Sequence, residues 1–200
     1  MGSQIGAFLR EFVRDPLRVG AVAPSSHRLA REITAPIPER GDPVVVELGP
    51  GTGSFTRVIQ ERLKGRGRHV AVELNPRFTA WLRSRYPEVD VVEADAATLP
   101  ALLAERGIAQ VDVVISGLPW AAFPQKTQDA IMRGVTQVLS PHATFTTFAY
   151  IHARWTPPAR RFHARLERAF EEVVVSRAIW RNIPPAVIYF ARRSRSASGA

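Results

Sequence analysis

Three glycines at alternate positions follow the apolar run Val44–Leu48, and this pattern is the one in the chain most suited to ligand chemistry. They are Gly49, Gly51 and Gly53. Glycine reaches φ values closed to other residues and lets a ligand approach the main chain where a Cβ would clash. A strand that runs into such a turn predicts a nucleotide-like cofactor. A dinucleotide fingerprint would need a further glycine at position 54, where this chain has Ser54.

The remaining pattern, GxGxG preceded by Glu47, resembles motif I of the S-adenosylmethionine-dependent methyltransferases. Glu47 is predicted either to orient the glycine loop or to meet the amino-acid ammonium of the cofactor. Glu73 ends the next predicted strand, where a carboxylate accepts hydrogen bonds from both ribose hydroxyls. The resemblance implies that Asp95, at the end of the third strand, contacts the adenine amino group, with Leu74 and Ala96 as flanking contacts. Taken singly, Glu73 or Asp95 is also explained as a helix N-cap.

The candidate acceptor site is the segment Ser116-Gly117-Leu118-Pro119-Trp120, at the end of the predicted fourth strand. Amino-methylating members of the superfamily carry Asn/Asp-Pro-Pro-Tyr or Asn-Leu-Pro-Tyr here, which supplies a carbonyl, a polar side chain and an aromatic ring to the acceptor amine. By this resemblance Ser116, Pro119 and Trp120 are candidate catalytic residues, and Ser116 also borders the cofactor. Serine suits a planar adenine amino group less well than asparagine, which argues against nucleic acid. A simple turn at Gly117 and core packing of Trp120 are the structural alternatives.

The elements that must position these residues alternate between β-branched runs and amphipathic stretches, which predicts a parallel sheet covered by helices. Seven strands are predicted, at 44–48, 69–74, 89–94, 111–116, 144–151, 173–181 and 186–192. Asn75 and Pro76 are the predicted cap and first residue of one helix, and Gln125 begins another that runs to Leu139. Ser25 or Ser26 is the predicted cap of a further helix that runs to Ile33. Only 182–185 joins the last two strands, so these must be antiparallel, because a parallel crossover needs a longer connection. The predicted fold class is α/β: a Rossmann-like, mostly parallel sheet with an antiparallel last strand, typical of class I methyltransferases.

Composition narrows the class of protein further. Two hundred residues with 46% hydrophobic content fit one domain. No apolar run approaches the roughly 18 to 20 residues that span a bilayer, and no signal peptide is recognisable, so a cytoplasmic protein is expected. Cysteine is absent and the five histidines lack metal-binding spacing, so neither thiolate chemistry nor a metal site is predicted. The net charge of +9 favours an anionic partner, either nucleic acid or a membrane.

Three segments are expected along the chain. Residues 1–42 form a helical extension, in which Phe8 and Phe12 lie on the apolar face of an amphipathic helix. This helix is expected either to bind membrane or to cover the cofactor pocket. Residues 43–193 form the Rossmann-like domain, and residues 194–200 form a disordered basic tail.

A family resemblance covers nearly the whole chain. The segments that carry it are the Phe-rich N-terminus, 15–26, the glycine loop, 116–124 and 181–186. Together they resemble the bacterial phospholipid N-methyltransferases that make phosphatidylcholine from phosphatidylethanolamine, distant relatives of the rRNA adenine dimethylases. The resemblance implies S-adenosylmethionine as cofactor, a phospholipid substrate, an anionic membrane surface as partner, and a peripheral location on the inner face of the cell membrane.

Further site residues follow from this substrate. A primary amine has a pKa of about 10.4, and only its neutral form can attack a methyl group, so a desolvated pocket favours the reaction. Aromatic faces hold a quaternary ammonium, for which Trp120, Phe123, Tyr150 and Trp155 are candidates. Tyr150 and His152 are candidates to relay the departing proton. The candidates to hold the lipid phosphate and its surroundings are Arg18, Ser25, Ser26, Arg28 and Arg181.

Three other functions remain open at this point. One is a small-molecule amine methyltransferase, which would not need the amphipathic N-terminus. An RNA adenine methyltransferase would explain the charge, but the short segment after the core leaves little room for an RNA-binding domain, so nucleic acid is not the favoured partner. A membrane-surface binding module without enzymatic activity would explain the N-terminal helix. It would not require the glycine loop, Glu73 and Asp95 together.

Overall fold

The computed structural model describes residues 25–195, which form one sheet with helices on both faces. The strands are β1 Val44–Leu48, β2 Arg68–Glu73, β3 Asp90–Glu93, β4 Val111–Ser116, β5 Leu139–Tyr150, β6 Phe170–Val175 and β7 Ala186–Ser194. The helices are α1 His27–Ile33, α2 Ser54–Leu63, α3 Pro76–Arg85, α4 Leu99–Ala104, α5 Gln125–Val138 and α6 Pro157–Ala169. Short 3-10 helices occupy Ala96–Thr98, Trp120–Ala122 and Ile151–Ala153.

The strand order is β3-β2-β1-β4-β5-β7-β6. Strands β1 to β5 pair in parallel, and β7 is antiparallel to both β5 and β6. The predicted fold class is therefore confirmed. The order reverses between β1 and β4, and ligands of such sheets bind at this switch point, outside the carboxyl ends of the strands.

Alternating strand residues feed two separate hydrophobic layers. Val46 and Leu48 of β1 pack in the cluster that also contains apolar residues of α4, α5 and α6. Val45 points to the opposite face and packs with residues of α1 and α2. Both faces of the sheet are therefore covered, which explains why the strands read as continuous apolar runs.

Two of the predicted helix starts are present. Asn75 Oδ1 accepts a hydrogen bond from Arg77 N at 2.9 Å, and Pro76 is the first residue of α3. Ser26 caps α1, since its Oγ accepts from Leu29 N at 3.2 Å. The local signals of capping and proline position therefore placed both starts.

Strand β6 differs from its predicted bounds of 173–181, because it begins at Phe170 and ends at Val175. Ser176 ends the regular ladder: its Oγ accepts from Ile188 N at 2.9 Å, in the place of a backbone carbonyl. Beyond it, only an isolated bridge joins Ile179 to Ala186. The sequence pattern did not predict that the Ser176 hydroxyl would compete with backbone groups for the hydrogen bonds of the sheet.

The predicted amphipathic helix within residues 1–42 and the candidate Arg18 lie outside the described residues, as do residues 196–200. At the other end, β7 continues through Ser194, one residue into the predicted tail. Within residues 25–195, no helix combines the length and hydropathy needed to cross a membrane.

Candidate active site

The glycine loop connects β1 to α2 and has left-handed backbone at all three predicted positions. The φ values are 68° at Gly49, 55° at Gly51 and 85° at Gly53. A Cβ on Gly51 would meet no atom within 4 Å, so this part of the loop faces open space. The loop has the conformation that the sequence required of it, with room for a ligand against its main chain.

The carboxylate of Glu73, at the end of β2, holds the glycine loop. Its Oε2 accepts a hydrogen bond from Gly51 N at 3.0 Å, and its Oε1 accepts from Asn75 N at 2.9 Å. The side chain is 6% exposed. Burial raises the pKa of Glu73 above its ordinary value, and the backbone donors of Asn75, Gly51 and Leu74 oppose that rise.

Asp95 occupies the corresponding position after β3 and is half-buried. Its Oδ1 accepts from Ala97 N at 2.9 Å, so it caps the short helix Ala96–Thr98. Asp95 therefore does act as a helix N-cap, and this role uses only one of its two carboxylate oxygens. Ala96 is buried against the core, and Leu74 is partly buried beside it.

Glu47 lies beneath α2 and is fully buried. Its Oε2 accepts from Thr56 Oγ1 at 2.8 Å and lies 3.2 Å from His69 Nε2. Because Thr56 is in the first turn of α2, the carboxylate ties β1 to the helix that follows the glycine loop. Its Oε1 has no hydrogen-bond partner within residues 25–195. Of the two predicted roles, this geometry supports orientation of the loop.

The acceptor segment after β4 packs directly on the glycine loop. Gly117 N donates to Leu48 O at 2.8 Å. A Cβ on Gly117 would stand 2.7 Å from Gly49 O, a backbone atom that cannot yield without moving the glycine loop. Glycine at 117 therefore sets the distance between the two segments, which brings the acceptor site against the cofactor loop.

Trp120 is 3% exposed and belongs to the core cluster. Its ring stacks on Phe162 at a centroid distance of 4.9 Å, and its Nε1 donates to Ser116 Oγ at 3.0 Å. The same Ser116 oxygen accepts from Leu118 N at 3.3 Å, and the Ser116 side chain is fully buried. Ser116 thus fixes the ring of Trp120. Phe123 is also buried in the core and does not line the cavity described next.

A cavity of about 210 Å³ opens beside the acceptor segment. Its walls are mainly aromatic and aliphatic, and include Gly117, Pro119, Trp120, Tyr150, Phe162 and Tyr189. Burial raises the pKa of both Tyr150 and Tyr189, so each phenol stays neutral at physiological pH. Arg154 donates a hydrogen bond to Tyr189 and places a positive charge near this wall.

Comparison with known proteins identifies the family. Residues 45–142 match the family model described as a methyltransferase domain. Ornithine lipid N-methyltransferase from Singulisphaera acidiphila is 39% identical over 191 residues, which cover 92% of this chain and 94% of that protein. This chain belongs to the same family of class I S-adenosylmethionine-dependent methyltransferases.

Two more distant relatives place the methyltransferase within its superfamily. Ribosomal RNA small subunit methyltransferase A of Chlorobium phaeobacteroides is 31% identical over 75 residues, 38% of this chain and 27% of that enzyme. The crystal structure of Burkholderia thailandensis 1,6-didemethyltoxoflavin-N1-methyltransferase has a TM-score of 0.66 at 21% identity, and covers 94% of this chain and 88% of that one. The second match establishes the fold, in agreement with the observed strand order.

The methyltransferase has a cofactor site whose residues fit S-adenosylmethionine. The open space at Gly51 accepts a ligand against the main chain, Glu73 offers buried carboxylate oxygens beside it, and Asp95 retains one oxygen for a further donor. Such an arrangement suits a nucleoside with two ribose hydroxyls and an exocyclic amine. The cofactor prediction is confirmed by the family.

The candidate phosphate residues of the methyltransferase lie in a different place from the aromatic cavity. Arg28 and Arg181 line one open pocket together with His27, Arg31 and Glu32. Ser26 is committed to α1, because its Oγ caps the helix and its N donates to Asn182 Oδ1 at 2.9 Å. The fold therefore brings Arg28 and Arg181 together from distant parts of the sequence, in a pocket separate from the aromatic cavity.

The remaining sequence candidates lie near the cavity mouth. Tyr150 lines the cavity, and the ring of His152 stacks parallel to it at 5.8 Å on the exposed side. His152 does not line the cavity itself. The pair thus runs from the cavity wall to solvent, as a proton path requires.

Sequence reasoning missed Gln128, which holds the acceptor segment from α5. Its Nε2 donates to Trp120 O at 2.8 Å and to Phe123 O at 2.9 Å, and its Oε1 accepts from Arg165 at 2.6 Å. Gln128 is 3% exposed. A glutamine among the apolar positions of a helix was the available signal, since a buried amide must find partners. Tyr189 and Arg154 were also missed, because their meeting depends on the β5–β7 pairing.

Proposed function

We propose that this methyltransferase transfers methyl groups from S-adenosylmethionine to the primary amine of a membrane lipid head group. The observation that carries the proposal is the aromatic and aliphatic cavity, which opens where Gly117 packs on Gly49 of the glycine loop. The relative from Singulisphaera acidiphila, named for ornithine lipid, supports a lipid as the acceptor. The proposed location of this reaction is the inner face of the cell membrane.

The chemistry of an amine acceptor matches the cavity. When bound, the cofactor supplies an electrophilic methyl group on a sulfonium. The amine must be neutral to attack it, and the low polarity of the cavity walls disfavours the ammonium form. Trp120 and Tyr150 present aromatic faces that hold a methylated ammonium, at about 0.5 to 2 kcal/mol per contact.

Side chains at the cavity orient the lipid head group and provide an exit for the proton. Arg154, hydrogen-bonded to Tyr189, places a cation beside the cavity wall and suits an anionic group on the lipid head group. The neutral Tyr150 phenol, with the exposed His152 stacked on it, relays the proton from the amine to solvent. The reaction therefore needs positioning and desolvation from the protein rather than a strong base.

Two head groups satisfy these requirements, because each carries a primary amine and an anionic group. Ornithine lipid has a carboxylate, and it is favoured by the 39% identical relative. Phosphatidylethanolamine has a phosphate, and it is the substrate expected from the sequence resemblance. Both are therefore arms of the same experiment.

The experiment incubates the purified full chain with methyl-labelled S-adenosylmethionine and with one acceptor at a time. The acceptors are ornithine lipid vesicles, phosphatidylethanolamine vesicles and ribosomal RNA. Label is expected in one of the lipids, and Glu73→Ala, which removes the carboxylate that holds the glycine loop, is the inactive control. Transfer to RNA with none to either lipid would establish the alternative function and overturn this one.

A further inference from the structure

Three large apolar side chains are exposed in the segments at the carboxyl edge of the sheet. Trp155 is 76% exposed, Trp180 is 72% exposed and Ile183 is 81% exposed. We call these three residues the apolar rim. Solvent exposure of two tryptophans and an isoleucine on one edge is costly for a surface that meets only water.

The rim belongs to two segments that depart from the same point of the sheet. Tyr150, the last residue of β5, pairs with Ala186, the first residue of β7. Ile151 N then donates to Pro185 O at 2.9 Å, which joins the two segments side by side. Trp155 follows β5, and the other two rim residues precede β7, so all three lie at one edge.

The segment that contains Trp180 and Ile183 is held in place by the buried side chain of Asn182. Asn182, between them, is 2% exposed, and its Nδ2 donates to Pro184 O at 2.7 Å. Its Oδ1 accepts from Ser26 N at 2.9 Å, which also anchors the start of α1. A buried amide in the middle of the turn forces its neighbours outward, so the exposure of the rim is built into the fold.

The charged residues within the two rim segments have a single sign. Arg154 stands beside Trp155, while Arg177 and Arg181 flank Trp180. No acidic residue occurs between Asp129 and Glu167, and none follows Glu172. A surface with exposed tryptophan and arginine and no carboxylate in its own segments is complementary to anionic lipid head groups.

One residue of the rim, Trp155, lies beside the cavity. Tyr150, Ala153 and Ala159 line the cavity, and Trp155 lies in the segment between the last two. A flat apolar layer that contacted Trp155 would therefore approach the cavity opening. A lipid amine then reaches the cavity while its acyl chains stay in the bilayer.

We propose that the apolar rim is the surface by which this methyltransferase docks on a bilayer that contains anionic lipids. Tryptophan suits the boundary between head groups and acyl chains, since its ring is apolar and its N–H is polar. The inference rests on the proposed lipid substrate and adds the orientation of the enzyme on the membrane.

The test measures binding without turnover. Full-length protein is sedimented with vesicles of phosphatidylcholine and phosphatidylglycerol, which contain no primary amine, so a wrong substrate assignment does not affect the result. The variant Trp155→Ala/Trp180→Ala/Ile183→Ala is expected to bind about tenfold more weakly or worse, because the apolar area that inserts is lost. Trp81→Ala is the matched control, since Trp81 is 54% exposed on α3 and lies outside the two rim segments.

Four further measurements make the result decisive. Affinity for S-adenosylhomocysteine and the melting temperature must match wild type, which shows that the triple variant is folded. Arg177→Gln/Arg181→Gln is expected to weaken binding most at low salt. If the triple variant is unstable, quenching of tryptophan fluorescence by brominated lipids is compared between wild type and Trp155→Phe/Trp180→Phe. Equal vesicle binding by wild type and the triple variant, or equal quenching in the second comparison, overturns the proposal.

Discussion

The indole Nε1 of Trp120 donates to Ser116 Oγ across 3.0 Å, inside the core. This hydrogen bond joins the end of β4 to the ring that walls the cavity. It also uses the Ser116 oxygen that the sequence motif assigned to the acceptor amine. Ser116 therefore positions the ring of Trp120 in the cavity wall.

Removal of this hydroxyl has a definite expected result. Ser116→Ala leaves the buried indole N–H without an acceptor, which costs about 1 to 3 kcal/mol of unfolding free energy. Methyl transfer to lipid is expected to slow, while affinity for S-adenosylhomocysteine stays close to wild type. Denaturant unfolding, lipid kinetics and calorimetry measure the three quantities.

The control for this change is Trp120→Phe, which removes the indole N–H and keeps an aromatic ring against Phe162. If the two residues act as a unit, the double variant loses less stability than the sum of the single variants. Strict additivity, or a large loss of cofactor affinity in Ser116→Ala, would contradict the role given to Ser116.

Gly51 and Gly107 provide a matched pair for the glycine loop. Both have positive φ, 55° and 64°, and neither would have an atom within 4 Å of an added Cβ. Alanine at either position is expected to cost about 1 to 2 kcal/mol of stability from backbone strain. Only Gly51→Ala should weaken cofactor binding, because only that glycine belongs to the predicted binding loop. Similar S-adenosylhomocysteine affinities for the two variants would count against the loop as the cofactor site.

Glu73 makes cofactor binding depend on pH. Its pKa in the ligand-free protein is raised by burial, so the carboxyl takes up a proton at a higher pH than the ordinary value of 4.5. Ribose hydroxyls donate to the ionised carboxylate, so the affinity for S-adenosylhomocysteine should fall as pH falls through this raised pKa. Calorimetric titrations from neutral pH downward measure the effect, and Glu73→Gln should bind weakly with little dependence on pH.

Glu73 also affects the stability of the folded protein, and this effect depends on pH in the opposite direction to the cofactor affinity. The folded, ligand-free protein binds the Glu73 proton more tightly than the unfolded chain does. Its contribution to the free energy of unfolding therefore decreases as pH rises through the folded-state pKa. A comparison of wild type with Glu73→Gln in denaturant unfolding isolates this contribution. If the Glu73→Gln variant loses affinity for S-adenosylhomocysteine at low pH to the same extent as wild type, another group causes the pH dependence.

Gln128 is expected to matter for lipid kinetics although it lies outside the cavity. Gln128→Leu removes the donor to Trp120 O and Phe123 O, at a cost of about 1 to 3 kcal/mol in stability. The freed acceptor segment should raise KM for lipid or lower kcat without loss of cofactor affinity. Asp129→Asn is the control, because it weakens only the ion pair of Arg165 with Asp129. Equal lipid kinetics in the two variants would show that Gln128 does not position the segment.

Much of the fold was predictable because the signals are local. Alternating β-branched runs located the strands, and the short connection before β7 required an antiparallel pair. Capping by Ser26 and Asn75 was also visible, since a cap and its partners lie within one turn. The bounds of β6 were missed because Ser176 bonds to Ile188 across the sheet, a contact of long sequence separation.

The amino-acid sequence by itself determined the candidate cofactor site, because three positive-φ glycines and two carboxylates at strand ends are specified by residue type and spacing. Tertiary structure decided the acceptor side. Packing of Gly117 on Gly49 set the distance between the two sites, and the β5–β7 pairing brought Tyr150, Tyr189 and the apolar rim to one edge. Whether a serine, glutamine or tryptophan contacts a substrate, supports a neighbour or faces a membrane depends on burial and partners, which spacing along the chain does not specify.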